Sequence, residues 1–342
     1  MRKFFINIFI VIGISLIGFS PILYFNLCED PYSIFRTDFS KVRIEPNNHF
    51  IKMRYILNDK TKFDSFIFGS SRANNVKPQQ FKNGNYFNMY YSLGIPEEHL
   101  EDIRMMIKHK IQIKNILILL DFTSYSTSTK GRENDLLRRH YSDEKMVLLK
   151  KYIKYAFVIP DWDFVDQYFQ QNVDSFYKNT YKSGTAENEI KENYIEKNKV
   201  EHINSSIFNE PIVSWESHVL ETVATLDTIK KLCEANHISL TLAMNPIHKT
   251  TYLANSPGDY FAFLKRLSEI SSFYDFSGLS RISTNNYFYY ETSHFRPMIG
   301  NAMADFIQYG KHIDTIPEFG IYITKNNIDE RINFLQSQLP QK

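Results

Sequence analysis

Two short runs in the chain carry the residue types of a serine nucleophile and its base. Gly69-Ser70-Ser71-Arg72 follows the apolar run Ser65-Phe66-Ile67-Phe68, and Glu291-Thr292-Ser293-His294 precedes Phe295-Arg296-Pro297. A serine attacks an ester only where it is exposed at a sharp turn, has a histidine to take its proton, and finds donors for the oxyanion. Glycine lets a strand end in a tight bend and puts the following serine at the carboxyl edge of a sheet, where open α/β folds bind ligands. A carboxylate three residues before a histidine, just ahead of a helix opening at Pro297, can orient the imidazole and stabilise its charged form. Taken singly, the first run reads as a plain turn and the second as a surface loop in which Ser293 caps a helix.

The elements around these runs predict an α/β fold. Apolar stretches at 65–68, 86–91, 115–122, 238–244 and 273–275 read as buried strands, and Asn115 to Phe122 is continuous over eight residues. Helical patterns lie between them at 96–110, about 219–235, about 260–270 and from Pro297 through Phe306. Strands alternating with helices predict βαβ units and a parallel sheet covered on both faces. The rhythm breaks between 123 and 214, which reads as an insertion, part helical and part loop. Residues 30–62 read as a stalk, 63–310 as the α/β domain and 311–342 as a C-terminal extension.

Composition bounds the function classes. At 342 residues with 43% hydrophobic and 23% charged residues, the chain is of ordinary globular make-up. A net charge of +2 supplies no field for nucleic acid, and none is expected as a partner. The 22 Tyr and 28 Phe fit either a carbohydrate-facing surface or a codon bias toward AT. Cys28 and Cys233 have no metal-ligand spacing, and a disulfide between them stays open. The histidines form no His-Glu-x-x-His cluster and no phosphate-cradling glycine loop is visible, so neither a metal nor another cofactor is expected.

Phe4 to Phe25 carries no charge over 22 residues, with Arg2 and Lys3 before it and Glu29 and Asp30 after it. At ~1.5 Å per residue such a helix spans about 33 Å, enough for a bilayer core. The positive-inside rule then puts everything after residue 30 on the extracytoplasmic side of the cytoplasmic (inner) membrane. An uncleaved anchor is favoured over a signal peptide cut near Gly18-Phe19-Ser20, because Pro21 would follow the cut.

The order of Gly-x-Ser early, a glycine turn at Ser92-Leu93-Gly94, and acid-x-x-His before the last core helix resembles the SGNH/GDSL hydrolase superfamily. It is most similar to the membrane-anchored envelope branch that includes proteins of alginate and surface-glycan O-acetylation, which often reads Gly-Ser-Ser-Arg. The resemblance covers about 63–123 and 237–310. It implies a three-layer, flavodoxin-like parallel-sheet domain, with Ser71 as nucleophile, His294 as base and Glu291 in the place of the usual aspartate. It also implies an oxyanion hole from the N–H groups of Ser71 and Gly94, an acylated or acyl-accepting glycan as substrate, and a membrane-bound O-acyltransferase as a partner. The family's Gly-x-Asn-Asp block is replaced by Leu120-Asp121-Phe122-Thr123-Ser124, so one asparagine donor is missing, with Thr123 or Ser124 as substitutes. Arg72, Arg296 and His248 are expected at the same edge as substrate contacts, the alternatives being surface arginines and a satisfied loop histidine. The implied activity is an extracytoplasmic acyl-ester hydrolase or O-acyltransferase; the alternative is a catalytically decayed glycan-binding or assembly protein of the envelope.

Overall fold

The computed structural model describes residues 6–7, 13, 17–38, 42–132, 135–172, 177, 180–214, 216–255, 257–312, 316 and 318–340. The apolar segment Phe4–Phe25 falls partly on residues outside this set. Among the described residues, no helix is long and apolar enough to cross a membrane. Two compact units divide the chain: Met1–Ile51 with Arg132–Lys178, and Lys52–Gly131 with Asn179–Lys342.

The second unit is α/β. Its sheet has six strands: β1 (Ser65–Gly69), β2 (Tyr86–Asn88), β3 (Asn115–Leu120), β4 (Ser239–Met244), β5 (Phe273–Asp275) and β6 (Ile321–Ile323). Their order is β2-β1-β3-β4-β5-β6, parallel except for the antiparallel β5–β6 pair. Helices of this unit include α1 (Pro96–Lys108), α2 (Phe122–Ser126), α3 (Glu189–Lys197), α4 (Val219–Ala235), α5 (Lys249–Ala254), α6 (Pro257–Ile270), α7 (Pro297–Tyr309) and α8 (Ile328–Ser337).

Because strand side chains alternate, each strand feeds two cores. Ile67, Leu117, Leu119 and Ala243 point to the face covered by Ile299, Met303 and Phe306 of α7. On the other face Phe68 meets His99 of α1, and α1, α4, α6 and α8 pack in series. The chain turns from β1 to β2 on one side and to β3 on the other, so the carboxyl ends of β1 and β3 flank the crevice where such sheets bind ligands.

Four expectations are revised. The strand over 115–122 stops at Leu120, because Asp121 leaves the sheet to cap α2, its carboxylate accepting from Thr123 N at 2.9 Å. Residues 311–342 are no appendage: β6 extends the sheet, and Arg331 of α8 reaches the buried Asp275 at 2.7 Å. The expected stalk holds a helix, Asn48–Asn58, whose Lys52 ammonium is buried and donates to Tyr90 O. The insertion also splits between units, with 132–178 in the first and 180–214 in the second.

In the first unit, helices Lys145–Ala156 and Trp162–Gln170 pack with the segment after residue 17. Phe25 places its ring 5.3 Å from Tyr168 and 5.9 Å from Phe169. The Asn26 amide donates to the carbonyls of Ala156 and Val158, at the end of the first of these helices.

Candidate active site

Strand β1 ends at Gly69 for a steric reason. A Cβ there would lie 2.8 Å from the Ala73 Cβ and 2.9 Å from the Leu119 carbonyl oxygen, so only glycine lets the turn hug β3. The chain then enters a 3-10 turn, Ser71–Asn75, capped by Ser70. Ser71 is its first residue, so its N–H has no partner within the turn.

The two serines part company at this bend. Ser70 is 1% exposed and donates to Asp121 Oδ2 at 2.6 Å, whereas Ser71 is half-buried and directed at His294. Ser71 Oγ lies 2.7 Å from His294 Nε2, and His294 Nδ1 lies 2.5 Å from Glu291 Oε1. A carboxylate can only accept, so Nδ1 carries the proton and Nε2 is left to accept from the serine hydroxyl. Sequence separation between Ser71 and His294 is 223 residues, and the sheet edge brings them together.

The Glu291–His294 loop is closed by a bridge between Tyr289 and Phe295, with Tyr290 N donating to His294 O at 2.8 Å. Inside it, Glu291 accepts from Ser293 N at 2.7 Å and from His294 N at 2.9 Å. Burial raises the Glu291 carboxyl, but the His294 hydrogen bond and charge and these two N–H groups outweigh it, so it ends below the usual glutamate range. The second half of the insertion buttresses the loop. Thr292 donates to Glu210 O at 2.6 Å, and His202 contacts Tyr289 O at 2.8 Å.

The other expected site residues are placed differently. Arg72 is buried and faces inward: Nη1 sits 3.3 Å from Asp121 Oδ2 and 3.2 Å from Thr123 Oγ1, while Nε and Nη2 reach Ser293 O and Oγ at 3.1 and 2.6 Å. Ser293 is thus a ligand of Arg72, and the N-cap position of α7 is held by Arg296, which makes no side-chain cap bond. Arg296 is buried too, held by Glu192 and Glu196 of α3 at 2.6 Å each. Burial opposes its charge, yet these carboxylates raise its pKa. Neither guanidinium is open to the substrate contact expected of it.

Thr123 and Ser124 serve Asp121: Thr123 N donates to the carboxylate, and Ser124 Oγ accepts from Asp121 N at 3.2 Å. Gly94 lies beside the bend, where a Cβ would be 2.7 Å from Gly69 O, but its N–H closes a turn onto Tyr91 O at 3.0 Å. His248 is buried against Phe208 and Tyr289, caps α5, and donates from Nε2 to Asn286 Oδ1 at 2.9 Å. Burial lowers its pKa.

Sequence reasoning assigned no role to Asn245. This buried residue directly follows β4, with Nδ2 at 3.4 Å from Asp121 Oδ2, and its Oδ1 has no hydrogen-bond partner. Its position directly after a buried strand was the available signal. Among the described residues no group of three or more His, Cys, Asp or Glu side chains could hold a metal ion.

The arrangement is that of a serine with an oriented base at a parallel-sheet edge. No protein-family model matches the sequence, and no curated protein matches it.

Proposed function

We propose that the second unit is an SGNH-like serine acyl-ester hydrolase or O-acyltransferase acting on an acylated glycan of the cell envelope, held there by the Phe4–Phe25 segment. The observation that carries this reading is the continuous relay from Ser71 Oγ through His294 to Glu291. The strand order 2-1-3-4-5 supports the finer fold assignment, since it is that of flavodoxin-like sheets.

In this reading Ser71 Oγ attacks the ester carbonyl carbon while His294 Nε2 takes its proton. Glu291 stabilises the imidazolium, which then protonates the leaving alkoxide and leaves an acyl-serine. His294 next takes a proton from water or from a sugar hydroxyl, whose oxygen attacks the acyl carbon; the bond to Ser71 Oγ breaks and the imidazolium returns the proton to that oxygen. Water gives hydrolysis and the sugar gives transfer.

A second reading is supported by the oxyanion side. Asp121 stands where the family has an asparagine donor, and the Gly94 N–H is taken up by its turn, leaving the Ser71 N–H. Each missing donor costs about 10²–10³ in rate. A glycan-binding or assembly module with a decayed hole would carry the same features.

A fluorophosphonate serine probe separates the two. The enzyme reading expects labelling of the full chain that Ser71→Ala abolishes. No labelling, together with unchanged glycan binding in Ser71→Ala, would establish the module instead.

A further inference from the structure

The first unit exposes apolar side chains in an ordered way. Along helix Lys145–Ala156, Met146, Leu149 and Ile153 face outward at helical spacing, and Phe157 continues the row. Lys145, Lys150 and Lys154 are exposed beside them. Residues 145–157 hold four lysines and no acidic residue. On helix Trp162–Gln170, Trp162, Val165 and Phe169 form a second row that shares an apolar groove of about 590 Å³ with Pro21 and Tyr24. Trp162 is 72% exposed and Ile159, in the connecting loop, 70%.

We propose that this face is a platform lying in the interfacial layer of a bilayer containing anionic lipid. An interfacial helix needs a narrow apolar row to enter the acyl boundary and lysines beside it whose stems follow the row while their ammonium groups meet phosphates. Tryptophan and tyrosine at the same level fit the headgroup zone, where one end of the ring is apolar and the other wet. The platform is also continuous with the charge-free run. The helical stretch beginning at residue 17 sets the Phe19 ring 6.4 Å from Phe157, and Phe25 6.2 Å from Phe164. Where that run leaves a membrane, these side chains stand at the surface. Asp161, at the N-cap of the second helix, and Asp163 and Asp166 within it are exposed and flank its apolar row, where their carboxylates are assigned to the water side of the interface. A second copy is the poorer occupant, because a two-fold interface would bring the lysine row against its own image.

The inference rests on the anchor reading, and its test keeps the two apart. The full chain is reconstituted into vesicles of phosphatidylcholine and phosphatidylglycerol in equal parts. Trp162 is read in a Trp215→Phe background, and a second reporter is Ile153→Trp with Trp162→Phe and Trp215→Phe. Both are expected to be quenched by brominated phosphatidylcholine and shielded from iodide. Lys150→Gln and Lys154→Gln should each shift the Ile153→Trp reporter about fivefold toward water, and only where phosphatidylglycerol is present. Protein that floats with vesicles while both reporters stay open to iodide would overturn the platform and leave the anchor standing. Protein that fails to float would overturn both. Shielding that depends on protein concentration and not on lipid bromines would assign the face to a second copy instead.

Discussion

The second unit holds two acid–base pairs that share the β1 bend and the His294 loop, and they are built for opposite ends. Glu291–His294 sits half-exposed in a closed loop with a hydroxyl at its open nitrogen. Asp121–Arg72 is sealed, with side chains 0% and 3% exposed and partners on three segments: the β1 turn, the end of β3 and the His294 loop. The first pair can exchange a proton with something arriving from solvent. The second cannot, since a buried guanidinium and carboxylate are stable only as a fixed, fully bonded pair. Residue types therefore do not separate a reacting group from a structural one; access to solvent and the kind of free valence do.

Under the proposed function the comparison breaks most sharply at the Glu291–His294 pair and its serine. Ser71→Ala and His294→Ala should each remove nearly all ester turnover, by about 10⁴-fold or more, and the double variant should be scarcely worse, because such groups act as a unit. Turnover of an acylated glycan by both single variants and their double, read as kcat/KM, checks this. Glu291→Gln should cost up to about 10⁴-fold in kcat, since the neutral amide no longer stabilises the imidazolium or fixes the Nδ1–H form.

At the sealed pair the effect should appear in stability. Arg72→Ala leaves the Asp121 carboxylate buried and unpaired, at about 3–5 kcal/mol by denaturant melts. The double change Arg72→Met with Asp121→Asn should recover much of that loss. If Arg72→Ala instead left stability unchanged and altered only KM, Arg72 would be a substrate contact after all.

The smallest effect concerns His248, whose pKa is lowered by burial. Below its ordinary value of 6.5 the unfolded chain takes up a proton that the folded chain resists. Its contribution to stability is thus full above pH 6.5 and is lost as pH falls through that value toward the lowered one. His248→Gln should flatten this part of the stability–pH curve, measured as the wild-type-minus-variant difference in urea midpoint.

Much of the sheet was legible because buried parallel strands are continuous apolar runs, as in Ile116 to Leu120 and Leu242 to Met244. Strand β6 was not, since Ile-Tyr-Ile is three residues long with two of them exposed. That Ser71, His294 and Glu291 would meet followed from the family resemblance and not from either run alone, and the sheet edge does bring them within hydrogen-bonding distance. The parts played by Arg72, Arg296 and Asp121 were not legible. Whether an arginine faces water or Asp121, Glu192 and Glu196 depends on segments roughly 50 to 200 residues away in sequence. Gly94 was placed correctly beside the bend, but which acceptor its N–H meets is a property of the Tyr91 turn.

The late position of β6 and α8 in the chain sets an order on biosynthesis. Asp275 is wholly buried, and Arg331, its charge partner, is synthesised 56 residues later. Until then the β5 edge has no β6 to pair with and the carboxylate has no cation. A chain emerging residue by residue can assemble β1 to β4 early but must hold this edge open, as a template for foreign strands, until β6 closes it. Premature termination before Arg331 should therefore yield protein that is cleared or aggregates, even though Ser71, Glu291 and His294 are all present.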